Sequence, residues 1–306
     1  MNHNVVPLSA GVWFVGVPIG TARDITLRAL DVLASADVLV AEDTRSLRKL
    51  MDIHAVPLNG RRIEALHEHS KGGVVARLLE RVRAGASVAY ASEAGMPLIA
   101  DPGFELARAA REAGVSVTCA PGPSAVLTAL VLAGLPTDAF HFAGFLPATK
   151  SARQKALTDV AGAPATLVLY ESPKRLGALL RDAAHVLGSA RQAAVCRELT
   201  KRFEETRRGT LGELAEIYAK VSVKGEIVVL IDRGKSEGVR EKFMDEVLGW
   251  ALNEKSVKDA ATFVAEMLDI PRRQVYQRAI EFTKVRAAND VMGGDVVKDE
   301  VTGSGC

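Results

Sequence analysis

Two short stretches hold many of the side chains able to do chemistry. Residues 67–69 read His-Glu-His, and residues 91–105 read ASEAGMPLIADPGFE, a loop between an apolar run and an amphipathic pattern. If 67–69 is extended, His67 and His69 share a face and Glu68 points away, so two imidazoles could meet one hydroxyl. Asp24, Glu42 and Asp43 stand at element ends that a cleft would use, and Asp24 joins His67, Glu68 and His69 as a candidate base. Two histidines alone do not make a metal centre, and no metal is expected. A purely structural role for the histidines carries equal weight.

The loop at 92–97 is not a phosphate cradle. Gly95 stands alone until Gly103, with Pro97 and Pro102 between them. The companion stretch GVPIGTARDITLRAL (16–30) has neither a GxGxxG nor a GxxxxGK[ST] pattern. One close-approach glycine and a carboxylate, Glu93 or Asp101, suit a nucleoside that carries positive charge and no phosphate. Asp-Pro ahead of a helical pattern also gives Asp101 a plainer reading as a helix cap, and that is the expectation.

The elements that must position these residues follow from hydrophobic pattern. Apolar runs VWFVGV (12–17), VLVA (38–41), SVAYA (87–91), SVTCA (116–120), TLVLY (166–170), AAVCR (193–197) and IVVLI (227–231) alternate with helical periods. They predict an α/β fold with buried, largely parallel strands. Asp24 is expected to cap ITLRALDVLASA, and Asp101 FELARAAREA. The turn-rich stretch 135–154 suggests an inter-domain connection in or just before it. RGKSEGVRE reads as a charged linker into a helical pair, with Ser256 and Asp259 as a capping-box-like start and Pro271 opening the second helix. Residues from about Thr283 lack a sustained period and read as a mobile tail. The expected domains are 1–125, 126–234, a helical module at 235–284 and a tail at 285–306.

With 306 residues the chain has room for two ordinary domains, and 39 basic against 37 acidic residues leave a net charge of only +2. Binding to nucleic acid must therefore come from local clusters. Lys174 with Arg175, then Arg197, Lys201 and Arg202, then Arg272, Arg273 and Arg278 are the candidates, beside Lys150, Arg153, Lys155, Arg207 and Arg208. Interleaved Glu198, Glu204 and Glu205 make a salt-bridged surface an equal alternative. No apolar run approaches about 20 residues, no secretory leader is visible, and three scattered cysteines do not form a disulfide framework. These features predict a soluble cytoplasmic protein, without a membrane partner. Taken alone, the C-terminal pair resembles a DNA-reading helix-turn-helix, which makes a transcription regulator one rival reading.

The blocks VGVPIGTARDITLRALDVLASADVLVAEDTR, HEHS, SEAGMPLIADPG, APGPSAVLTALVLAGLP, FAGFLP, YESPKRL, RELTKRFEE and KGEIVVLI occur in this order, within a likeness that runs up to Phe282. Together they resemble the ribosomal RNA small subunit methyltransferase I family, within the tetrapyrrole methylase superfamily. The resemblance implies two α/β domains of that type, with S-adenosylmethionine in the cleft between them, and a homodimer. It implies methylation of a cytidine ribose 2′-hydroxyl near the decoding centre of small-subunit ribosomal RNA, the RNA or the small subunit being the partner. The implied cofactor residues are Pro18, Ser92, Glu93, Ala94, Gly95, Met96, Pro97, Ser124, Ala125, Phe145, Leu146, Tyr170, Gly225, Glu226 and Ile227. The family's usual Pro-Ile-Gly-Asn is Pro18-Ile19-Gly20-Thr21 here, and its usual Ser-Asp-Ala-Gly-Thr-Pro is Ser92-Glu93-Ala94-Gly95-Met96-Pro97. A second rival stays within the superfamily, methyl transfer to a tetrapyrrole or another small molecule.

Overall fold

A computed structural model describes residues 3–67, 73–234, 236–268 and 270–292, with side chains described at all of these except 236–243 and 284–292. It divides into two compact units, Met1–Gly234 and Lys235–Cys306.

The first unit holds two five-stranded sheets. In one, β1 (Gly11–Val15), β2 (Val38–Ala41), β3 (Ile63–Ala65), β4 (Ser87–Ala91) and β5 (Val117–Ala120) are all parallel, in the order β3-β2-β4-β1-β5. The central apolar runs form strands because both their faces are covered, while the edge strand β5 stays largely exposed. Helices α1 (Leu27–Ser35) and α2 (Thr44–Ile53) pack on one face through Leu30, Leu33, Leu47 and Met51. Helices α3 (Val74–Arg83) and α4 (Phe104–Glu112) cover the other through Leu78, Leu79 and Leu106. The chain therefore leaves the neighbouring strands β1 and β4 toward opposite faces, which opens a crevice above their C-terminal ends.

Helix α5 (Ala125–Ala133) leads into the second sheet, made of β6 (Phe140–Phe145), β7 (Thr166–Glu171), β8 (Gln192–Arg197), β9 (Glu205–Thr210) and β10 (Ile227–Ile231) in the order β6-β7-β10-β8-β9. Its strands alternate between two cores. Ile227, Val229 and Ile231 face α6 (Lys150–Val160), α7 (Leu176–Leu187) and α8 (Leu211–Lys220), while Val228 and Leu230 face Val126, Ala129 and Leu130 of α5. Only β6 and β7 pair in parallel here. The expectation of largely parallel strands thus holds for the first sheet alone. A short turn after Arg197 brings β9 back beside β8, which forces antiparallel pairing. The turn-rich stretch at 135–154 supplies the edge strand β6 and the start of α6.

Two expected caps are replaced. Asp24 sits exposed in a single 3-10 turn, and the Thr26 side chain accepts the Ala29 amide to start α1. Gly103, in the left-handed region at φ 114°, precedes α4 in place of Asp101. The second unit has three helices, α9 (Ser236–Ala251), α10 (Val257–Leu268) and α11 (Arg272–Met292), so the expected linker is largely helical and α11 runs beyond Thr283. The Ser256 hydroxyl accepts the Asp259 amide, and Leu248, Ala261, Val264, Val275 and Ala279 form this unit's own core.

Buried between α6 and α7, Arg153 donates through Nε to Asp182 Oδ2 at 2.7 Å and through Nη1 to the Ala148 carbonyl at 2.9 Å. Both side chains are more than nine-tenths buried, so removing one charge strands the other. Arg153→Met is expected to cost about 3 kcal/mol in urea unfolding, and Arg153→Met with Asp182→Leu much less. Equal costs would contradict a coupled pair.

Candidate active site at the strand ends

The crevice above β1 and β4 is floored by backbone. Val17 and Gly95 exchange hydrogen bonds in both directions, at 2.9 and 3.1 Å. Gly16 lies against Gly122 so closely that a Cβ on Gly16 would stand 2.7 Å from the Gly122 nitrogen and from Met96 Sδ. Only glycine permits this approach. The Gly122 amide donates to Met96 Sδ at 3.2 Å, so the methionine that departs from the family's threonine ties the loops after β4 and β5 together. Ser124 then caps α5.

The loop after β1 is also clasped to the second sheet. The Thr21 amide donates to Thr200 Oγ1 at 3.1 Å, and its hydroxyl donates to the Thr200 carbonyl at 2.6 Å. Beside it, Lys201 Nζ is 3.0 Å from Glu198 and 3.1 Å from Glu226. Glu198 and Thr200 adopt left-handed φ angles of 51° and 61°, and Leu98 and Ala100 do so at 72° and 59°. Such strain costs about 1–3 kcal/mol per residue and persists only where the surroundings impose it.

Acidic groups gather on the other side. Glu42 Oε2 accepts the Glu93 amide at 3.1 Å. Asp101 is pushed up to about 6, chiefly by burial, then by the negative charges of Glu42 and Glu93, with the Ser92 hydroxyl pulling the other way. Ser92 Oγ faces this carboxyl from a buried position without a hydrogen-bond partner of proper geometry. Tyr170 is pushed up to about 12 by burial and by Asp101 and Glu226. Its ring meets Phe142 at 4.9 Å and Phe145 at 5.6 Å between centroids, and Phe145 stays 57 % exposed. Among the described residues no His, Cys, Asp or Glu cluster is arranged to hold a metal ion.

Around these strand ends Gly95 pairs with Val17, Met96 meets Gly122, Ser92 and Glu93 stand by Asp101 and Glu42, Ser124 caps α5, and Tyr170 lies against Phe145 within electrostatic reach of Asp101 and Glu226. Leu146 and Ile227 instead turn into the helix-side core, and Gly225 makes room for Glu198. Asp24 is exposed outside the acidic group, and His67 is exposed just after Leu66, whose carbonyl accepts the Tyr90 hydroxyl. Glu68 and His69 lie outside the described residues. Of the basic candidates, Arg175 is spent on the Leu146 and Pro147 carbonyls, Arg197 on Glu205, Lys201 on Glu198 and Glu226, and Arg278 on Asp245. Lys174, Arg202, Arg272 and Arg273 are exposed. Asp101 was masked in sequence by its Asp-Pro context, although Gly103, just ahead of the helix, was the signal that another residue starts it.

Residues 11–215 match the Tetrapyrrole (Corrin/Porphyrin) Methylases, and residues 240–282 match the RsmI C-terminal HTH domain. A ribosomal RNA small subunit methyltransferase I of Mesorhizobium japonicum is 41% identical over 285 residues, 93% of this chain and 96% of that one. One from Vibrio cholerae is 39% identical, covering 92% and 98%. The chain belongs to the ribosomal RNA small subunit methyltransferase I family. Solved structures share its fold at low identity. A cobalt precorrin-4 methyltransferase aligns at 19% identity and TM-score 0.54, over 72% of this chain and 94% of that one. Diphthine synthase aligns at 16% and 0.55, over 72% and 89%. This member of the family keeps a half-buried acid, Asp101, just past the end of β4.

That acid destabilises the fold. Because the folded state raises the Asp101 pKa, it holds the proton more tightly than the unfolded chain, so stability is lost as pH rises from about 4 through about 6. Asp101→Asn is expected to unfold at higher denaturant at about pH 8, by roughly 1–2 kcal/mol after allowance for partial exposure, and to show no advantage near pH 4. A variant no more stable than wild type at pH 8 would contradict the burial argument.

Proposed function

We propose that this chain transfers a methyl group from S-adenosylmethionine to a cytidine ribose 2′-hydroxyl of small-subunit ribosomal RNA near the decoding centre. The observation that carries the reading is the crevice itself, in a member of this family: three carboxylates, Glu42, Glu93 and Asp101, beside the buried Ser92 hydroxyl, over loops with no phosphate cradle. Such a site fits a cationic nucleoside. The residues that would hold it are the 92–97 loop and Ser124 on one side, with Phe145 and Tyr170 offering aromatic surface to the base. When bound, S-adenosylmethionine supplies an electrophilic methyl group on a sulfonium that leaves as a neutral thioether.

The chain's own part is orientation and proton removal. Asp101 is the group suited to accept the hydroxyl proton, since its raised pKa makes it a better base than a solvated carboxylate and still ionised above about pH 6. It takes precedence over Asp24 and His67, which are exposed. Glu42 and Glu93 act on it through their charge, and Glu42 fixes the loop by accepting the Glu93 amide. The match of residues 240–282 to a helix-turn-helix domain supports RNA docking through Arg272 and Arg273, which are exposed at the start of α11. Leu127 and Val131, exposed one turn apart on α5, support a homodimer. Among the described residues no helix is long and apolar enough to cross a membrane, in keeping with action in the cytoplasm.

Transfer of tritiated methyl from S-adenosylmethionine is the test. Unmodified small ribosomal subunits should be labelled as 2′-O-methylcytidine, whereas a tetrapyrrole acceptor should not. Asp101→Asn should lower kcat by about 10²–10⁴-fold, and wild-type kcat/KM should rise with pH and level above about 6. Label on the tetrapyrrole, or tight duplex-DNA binding with no methyl transfer, would overturn the reading.

A further inference from the structure

We propose that the groove between α6 and α7 is a track for the RNA phosphate backbone, leading to the crevice. The inference rests on RNA being the substrate.

The groove encloses about 370 Å³, with Lys150 and Arg181 on its walls, His185 at one end, and Arg153, Gln154 and Asp182 along its floor. Asp182 is the carboxylate among these residues, and it is consumed internally. Its Oδ2 accepts Arg153 Nε at 2.7 Å and Nη2 at 2.5 Å, and its Oδ1 accepts Gln154 Nε2 at 3.0 Å. The floor is therefore neutral and rigid. Lys150 and Arg181 are exposed, and among the described residues neither has a carboxylate within ion-pair distance. This sets them apart from Arg197, Lys201 and Arg207, which the interleaved glutamates hold. Two unopposed cations over a neutral floor attract a polyanion and offer a cationic partner little.

The groove's position matches a polymer better than a small anion. Arg153 of α6 meets Asp182 of α7 one turn after Lys150 reaches the level of Ala178, so the two helices run side by side in the same direction. Both begin just past the ends of the parallel strands β6 and β7, where Phe145 and Tyr170 stand. The groove's mouth thus lies at the strand ends that carry Phe145 and Tyr170, and the groove runs away from them for about 10 Å between the levels of Ala178 and His185. Lys174 is exposed beside the mouth, and the helix N-termini at that end favour negative charge. A strand whose ribose sits in the crevice would pass its neighbouring phosphates along Lys150 and Arg181.

The test compares wild type with Lys150→Gln/Arg181→Gln, and with Lys155→Gln as a control, since Lys155 is already paired with Asp159. Binding of a small-subunit RNA fragment is measured against salt, beside calorimetric affinity for S-adenosylmethionine and thermal melting. The double variant should bind RNA about tenfold more weakly, and its log K against log salt slope should be shallower by about 1.4, with cofactor affinity and melting unchanged. The control should match wild type. Unchanged RNA affinity and slope in the double variant, with wild type binding RNA, would overturn the groove and leave the methylation reading intact. A wild type that neither binds nor methylates the RNA would overturn both.

Discussion

The backbone contact between Gly16 and Gly122 sets the terms for the rest of the first unit. It lets the turns after β1 and β5 touch with no side chain between them, and the Val17–Gly95 exchange draws the turn after β4 into the same layer. Three consequences follow. The crevice gains a floor of peptide groups, α5 is launched from Ser124 against the second sheet, and Ile19 is carried into the core that α5 shares with Val168, Cys196 and Leu230. Thr21 then reaches Thr200, so the two sheets are joined at the rim of the site as well as through their core.

On that frame the molecule tolerates features that cost stability. Three carboxylates converge, one of them half-buried with its pKa raised to about 6, and Leu98, Ala100, Glu198 and Thr200 sit in left-handed conformations on the loops after β4 and β8. Neither feature helps the fold. Both make sense where an incoming cation would repay the repulsion, which is why charge and strain coincide in this crevice and not in the helix-covered cores.

Much of this was legible in sequence, for identifiable reasons. The seven apolar runs became strands, mostly buried apart from the largely exposed edge strand β5, and Ser256 announced its helix because its hydroxyl has a local amide to accept. Strand β9, Glu205–Thr210, was not legible, since an edge strand of Glu, Arg and Thr has no apolar alternation to show. Strand β6 was hidden inside turn residues. The antiparallel half of the second sheet depends on which strands become neighbours, a tertiary matter that local pattern does not carry. Asp101 was legible as a candidate carboxylate, but the helix-cap reading preferred for it was not what folded. Its surroundings come from Glu42, 59 positions earlier in the chain, and from a helix that starts two residues later than Asp-Pro suggests.

The central claim is that the strand-end carboxylates recognise positive charge. It is tested most directly by calorimetry of S-adenosylmethionine against S-adenosylhomocysteine, which differ by one methyl group and the sulfonium charge. At about pH 8 the wild type should bind the cationic donor severalfold more tightly than the neutral product, and Glu42→Gln with Asp101→Asn should erase that preference. Equal affinity of the wild type for both would contradict the account.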